Sequence, residues 1–263
     1  MWIFLVTIVV LAGLAGGLVV WAPWRPPPLL RPTGLTAGPS TTSSVALHWS
    51  GPATGPAPDK YVILYGGSVI GSVRGTVTSY RRTGLYPATS YQYQVAAVRG
   101  GKRSRPSAAV VLKTVTPPVS AARWQGPWTV HVRIVQGGAG LTGPRRWDDS
   151  WQVSPECAAG PCPVQVAGTF NQRDFRATLT RTGAVYAGTT TAHSFRCGKG
   201  PGSFPTTSTL KIRVTLTGAQ GGSNGAWTAI SWTGTLRASA PYTSLGNAYC
   251  NAVQVTASLA AVP

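Results

Sequence analysis

Acid–base chemistry needs carboxylates, and this chain of 263 residues has five. They are Asp59, Asp148, Asp149, Glu156 and Asp174. The densest grouping of reactive side chains is Arg145-Arg146-Trp147-Asp148-Asp149-Ser150-Trp151. Indole faces beside acids and guanidiniums suit a sugar, with a ring to stack on and polar hooks for hydroxyls. Trp147, Asp149 and Trp151 are therefore candidate binding residues. Glycoside hydrolysis would need two carboxyl groups converging across the scissile bond. Asp148 and Asp149 are adjacent, so on a strand they point to opposite faces. No catalytic residue is assigned on this pattern. Trp147 and Trp151 share one strand phase, which also fits packing into a core.

Gly221-Gly222-Ser223-Asn224-Gly225 spells G-x-S-x-G. A nucleophile elbow of that form needs a strand before it, a helix after it, and an acid then a histidine downstream. The last histidine is His193, so a plain turn is expected. The four cysteines, Cys157, Cys162, Cys197 and Cys250, all lie in the second half. In an exported protein an even number suggests disulfides, with three pairings open. Cys157–Cys162 as a short staple and Cys197–Cys250 as a long tie is the preferred arrangement. His193-x3-Cys197 offers two metal ligands, but no C-x2-C pair accompanies them. Neither a metal nor a cofactor is expected.

The formal net charge is +18. It is spread over both halves, which predicts attraction to polyanions or to an anionic surface. Nucleic acid is one such polyanion, though no specific nucleic-acid partner is expected. For an exported chain, envelope polymers fit better. Hydrophobic residues make up 43% and charged residues 11%, with 32 Gly and 22 Pro. That balance excludes wholesale disorder and favours short strands joined by tight turns.

Residues 1–24 are almost wholly apolar from Trp2 to Trp24. The length suits a membrane-spanning helix better than a cleaved signal, with Trp21 and Trp24 at the interfacial end. Secretion after cleavage is the other reading. No Lys or Arg precedes the run, while Arg25 and Arg31 follow it. The positive-inside rule alone would leave the bulk of the chain in the cytoplasm. Cysteine usage argues for the opposite side, and long domains translocate largely regardless of charge. The expectation is a single-pass cell-membrane protein with its bulk extracytoplasmic. A Pro-rich spacer, 25–32, reads as stiff and extended.

After the spacer, short β-like runs alternate: Val45–Trp49, Tyr61–Tyr65, Val69–Val73, Tyr91–Val98 and Ala108–Thr114. Gly66-Gly67 marks a hairpin between the second and third. Trp49 closes one run, Tyr61 opens the next, and Leu85-Tyr86-Pro87-Ala88-Thr89-Ser90-Tyr91 has the form L-x-P-x-T-x-Y. Together these resemble a fibronectin type III domain over residues 33–116. The resemblance implies a β-sandwich in which Trp49, Tyr61, Leu85 and Pro87 are structural. It also implies that the Tyr91 hydroxyl bonds corner backbone. The loop Arg99–Arg105 would join the last two strands, and Arg99, Lys102, Arg103 and Arg105 on it could clamp anionic groups. A solvated hairpin tip is the simpler reading of that loop.

Pro117-Pro118 separates a second β-rich domain, 119–263. Eight runs with turns between them suggest an up-and-down barrel or a second sandwich. Lys211-Ile212-Arg213-Val214-Thr215-Leu216 alternates as a strand with one wet face. Trp124, Trp128, Trp227 and Trp232 could line a barrel interior, but Trp227 and Trp232 differ by an odd number and cannot share one strand face. The fold class is thus all-β behind an N-terminal hydrophobic helix. The functional expectation is a non-catalytic, membrane-anchored binding or adaptor protein. Its contacts would be cell-envelope polysaccharide, another anionic polymer, or a protein partner. The alternative is a carbohydrate-binding accessory protein or weak glycosidase, because fibronectin type III modules of bacterial type accompany polysaccharide-degrading enzymes.

Overall fold

The computed structural model describes residues 28–137, 145–170, 173–197, 204–240, 243–245, 248–250 and 253–262. The apolar segment 1–24 lies outside these. Among the described residues, no helix is long and apolar enough to cross a membrane.

The first domain packs two sheets face to face. One holds β1 (Thr33–Ser40), β2 (Val45–Ser50) and β5 (Ser79–Arg82). The other holds β4 (Ser68–Arg74), β3 (Lys60–Tyr65), β6 (Ser90–Arg99) and β7 (Lys102–Arg103), with β8 (Val110–Lys113) also on β6. Gly66 and Gly67 take φ of 55° and 82°, the two positive values a tight hairpin turn requires. Val45, Leu47, Trp49, Tyr61, Ile63 and Val95 fill the space between the sheets. The rings of Trp49 and Tyr61 meet edge to face at 5.4 Å. The Tyr91 hydroxyl accepts the Tyr86 N–H at 2.9 Å and locks the corner before β6.

The second domain is a closed eight-stranded barrel. Its wall runs β9 (Gly126–Gly137), β10 (Arg146–Pro155), β11 (Val164–Phe170), β12 (Arg173–Thr182), β13 (Val185–Cys197), β14 (Phe204–Gly221) and β15 (Trp227–Ala240). A small hairpin follows, β16 (Thr243–Leu245) with β17 (Ala248–Cys250). Then β18 (Val253–Val262) pairs with both β15 and β9 and closes the ring. Every neighbouring pair is antiparallel, and because the ring closes, of the two architectures expected the barrel is the one that forms.

Alternation builds most of this wall, interrupted by bulges between β13 and β14, β14 and β15, and β18 and β9. Along β10, residues 147, 149, 151 and 153 turn inward and 146, 148, 150 and 152 face water. Trp128, Trp151 and Trp232 converge inside with Trp124, which enters from the linker. Trp151 and Trp232 stack at 5.3 Å, and Trp124 meets Trp232 edge-on at 5.5 Å. The interior is therefore filled by side chains. Trp227 stays half-buried and donates its indole N–H to the Pro118 carbonyl at 3.0 Å.

The linker straps the end of the barrel beside the first domain. A short 3₁₀ turn, Val119–Ala121, precedes Ala122 and Trp124, both fully buried. The Arg123 guanidinium reaches the carbonyls of Cys157, at 2.6 Å, and Gly160, at 3.1 Å. It thereby holds the loop that the Cys157–Cys162 disulfide closes. The side chains of Cys197 and Cys250 lie outside the described set, and so does the pairing expected of them.

The turn 221–225 meets the tyrosine corner of the first domain. The Gly225 N–H donates to the Leu85 carbonyl at 3.1 Å. A Cβ on Gly221 would sit 2.8 Å from Pro87 Cδ and 2.9 Å from its oxygen, so only glycine permits this approach. Two sequences that each read as a local turn thus form one joint between domains.

Candidate functional site: a basic groove on the outer barrel wall

An open groove of about 930 Å³ crosses the outside of the barrel over β10, β9, β18, β15 and β14. Strand register explains its composition. One cross-strand row runs Asp148–His131–Ala260–Thr233–Thr215. The next runs Arg146–Arg133–Ser258–Thr235–Arg213. Residues directly paired across an antiparallel sheet share a face, and all of these lie on the outward phase. Small side chains therefore occupy the middle strands and long cationic ones the flanks. The floor is Ala260, Ser258, Thr233 and Thr235. Arg133 and Arg146 rise on one side, and Arg213 rises on the other.

The electrostatics are one-sided. Asp148 is the groove's acid, and its carboxylate is 2.7 Å from His131 Nδ1. Both side chains are more than half exposed, at 53% for His131 and 64% for Asp148. Arg133 and Arg146 stand directly opposite each other, an arrangement that costs stability when nothing neutralises it. Among the described residues, no hydrogen bond or ion pair engages the guanidiniums of Arg133, Arg146 or Arg213. A row farther along the same wall, Lys211 pairs with Arg237, another directly opposed cation pair.

The residues expected from sequence fall elsewhere. Trp151 is 2% exposed and belongs to the barrel core. Trp147 is half-buried on the inward phase, packs on Phe170 at 5.7 Å, and donates its indole N–H to Asp149 Oδ2 at 2.8 Å. Asp149 is itself buried and accepts the Thr169 hydroxyl on Oδ1 at 2.8 Å. These three form no exposed sugar platform, because the strand phase that aligns them aims them into the barrel. Asp148 and Asp149 face opposite sides, as adjacency on a strand requires, so the pair cannot converge on one bond.

The loop between β6 and β7 is exposed, as a basic hairpin tip would be. Its backbone is tied down: the Asp59 carboxylate accepts the Gly100 N–H at 2.8 Å, and Arg99 donates to the Ala57 carbonyl at 3.2 Å. Lys102, Arg103 and Arg105 are exposed beyond it. Among the described residues, no group of three potential metal ligands comes together. Sequence reasoning passed over Arg133, Arg213 and the hydroxyl floor. The available signal was the wet face of Lys211–Leu216 read against the outward phases of β9 and β15.

The corner and sheet order of the first domain agree with a family comparison over the same residues. Residues 30–112 are a fibronectin type III domain. The chain is 33% identical over 169 residues to Exoglucanase B of Cellulomonas fimi, covering 60% of this chain and 15% of that protein. It is 39% identical over 84 residues to a poly(3-hydroxybutyrate) depolymerase of Ralstonia pickettii, covering 32% of this chain and 16% of that one. The chain thus spans about one sixth of the length of these curated relatives. Among solved structures, a family 28 exopolygalacturonase from Yersinia enterocolitica aligns over 34% of this chain and 21% of its own, at 22% identity and a TM-score of 0.31.

Proposed function

We propose that this chain is a non-catalytic polymer-binding protein that works outside the cytoplasm as an accessory to polysaccharide breakdown, held at the membrane by its apolar segment 1–24. The observation that carries the reading is the open groove on the barrel wall, cationic and floored with hydroxyls. It offers many shallow contacts to a long chain and no converging carboxylates for cleavage. The fibronectin type III domain and the likeness to a part of an exoglucanase support the polysaccharide setting. The Cys157–Cys162 disulfide supports an oxidising compartment.

The test is co-sedimentation of the full chain, purified in detergent, with insoluble cell-wall polysaccharide. Reducing ends released from the same polysaccharide are assayed in parallel. Binding without release of reducing ends is the expected outcome. Release that survives repeated purification would favour the weak-glycosidase reading instead. Protease accessibility of the barrel in intact and permeabilised cells tests the location.

A further inference from the structure

Resting on that reading, we infer that the groove over β10, β9, β18, β15 and β14 takes an acidic polysaccharide, bound through its carboxylates between Arg133 and Arg146 on one flank and Arg213 on the other. Three observations lead there.

The first is charge placement. Arg133 and Arg146 are directly opposed, and so are Lys211 and Arg237 one row farther along. Like charges in that position oppose folding, so the barrel tolerates a cost its own acids do not relieve. A ligand bearing regularly spaced anions would relieve it. A cleft lined mostly by charges of one sign also focuses their field on an incoming anion.

The second is geometry. Arg133 and Arg213 are three strand steps apart along one row, which is roughly 14 Å at the spacing of neighbouring strands. The row carrying Lys211 and Arg237 lies two residues farther on, roughly 7 Å. Anions at intervals along one polymer chain can therefore meet guanidiniums from both flanks. Each guanidinium presents a planar fork that matches a carboxylate.

The third is what the groove lacks. Neutral sugars are held largely by stacking on aromatic faces, and single-stranded nucleic acid needs the same platforms. Trp147, the aromatic residue at the groove's edge, sits on the inward phase. The floor between the arginines is Ser258 and Thr235, with Ala260 and Thr233 beside them. These suit sugar hydroxyls and offer no base a stacking partner. Recognition here rests on charge and hydroxyl contacts.

The experiment is equilibrium binding of the full chain in detergent to polygalacturonate, to its methyl ester, and to linear duplex DNA, at about 50 and 200 mM salt. Two triple variants are compared, R133Q/R146Q/R213Q in the groove and R99Q/K102Q/R103Q on the hairpin. R213Q alone serves as a milder groove variant, and circular dichroism checks that each is folded. The expected result is tight binding of polygalacturonate, with the methyl ester weaker by at least about tenfold. The groove triple should lose at least about tenfold, R213Q an intermediate amount, and the hairpin triple less than about twofold. Equal losses from both triples would overturn the proposal, because net charge alone would then explain binding. Duplex DNA bound as tightly as polygalacturonate, with the same salt slope, would overturn it too. Undiminished binding of the ester would leave the accessory-protein reading standing and remove the groove's preference for acid. Failure to bind any polysaccharide would remove both.

Discussion

The two faces of β10 share a backbone and little else. Inward, half-buried Trp147 joins buried Asp149 and Trp151, and the Asp149 carboxylate is held by an indole N–H and a hydroxyl. Outward, Arg146 and Asp148 stand in water beside Arg133 and His131. The inner face has chemical groups that look ready for a ligand, yet Asp149 and Trp151 are buried. The outer face looks like ordinary solvated surface and becomes a groove only because four neighbouring strands bring small residues between its cations. Residue type alone points to the inner face. Phase and register point to the outer one.

The comparison breaks most visibly at Trp151. Trp151→Ala removes an indole stacked on Trp232 and should cost about 3–5 kcal/mol. The midpoint of denaturant unfolding measures this. A variant of unchanged stability that has lost polysaccharide binding would return the site to the inner face.

On the outer face, Arg213→Glu should leave unfolding unchanged and lower polygalacturonate affinity by more than about tenfold, since it places repulsion where attraction was. Calorimetric titration reads the loss directly.

Interior dryness has its own signature at high pH. Burial pushes the Tyr93 phenol up to about 12, with Arg82 pulling the other way. Burial also raises Tyr186 inside the barrel, partly offset by Arg181 and Arg123. A phenol that ionises later when folded binds more protons in the native state than in the unfolded one. Its contribution to stability is full below about pH 10 and is lost as pH rises toward 12. Phenolate absorbance should therefore rise with loss of tertiary circular dichroism above about pH 10, and Tyr93→Phe should move that transition upward. Full ionisation of every tyrosine in a still-folded chain would contradict a dry interior.

Smaller effects sharpen the outer face. Asp148→Asn removes the groove's acid and should tighten polygalacturonate binding about twofold, with the gain fading in salt. Arg146→Thr should raise the unfolding midpoint slightly by relieving the opposed pair with Arg133. A drop instead would mean the pair is held by something other than tolerated repulsion.

Much of the architecture was legible. The alternation expected over Lys211–Leu216 falls within β14, because a wall with one dry side enforces it. The hairpin at Gly66-Gly67 and the corner at Tyr91 were legible for a similar reason, since few residues satisfy those backbone demands. β1 was missed because Thr33–Ser40 carries Gly34, Gly38 and Pro39 and shows no alternation. β5 was missed because it is four residues long. The groove was harder still. Its members come from five strands, and their adjacency depends on barrel closure through β18 and β9, which no local pattern encodes. The joint at Gly221 and Pro87 was invisible for the same reason: each half is a complete turn until the other arrives.

That joint makes the pair of domains a bracket and not a hinge. The chain crosses between them once, along the Pro118 strap that Trp227 pins to the barrel, and the Leu85–Gly225 bond fastens them a second time. Swivelling one domain about the strap would have to break the Leu85–Gly225 bond first. Gly221→Val, which forces the turn off Pro87, should turn the bracket into a swivel while leaving both domains folded.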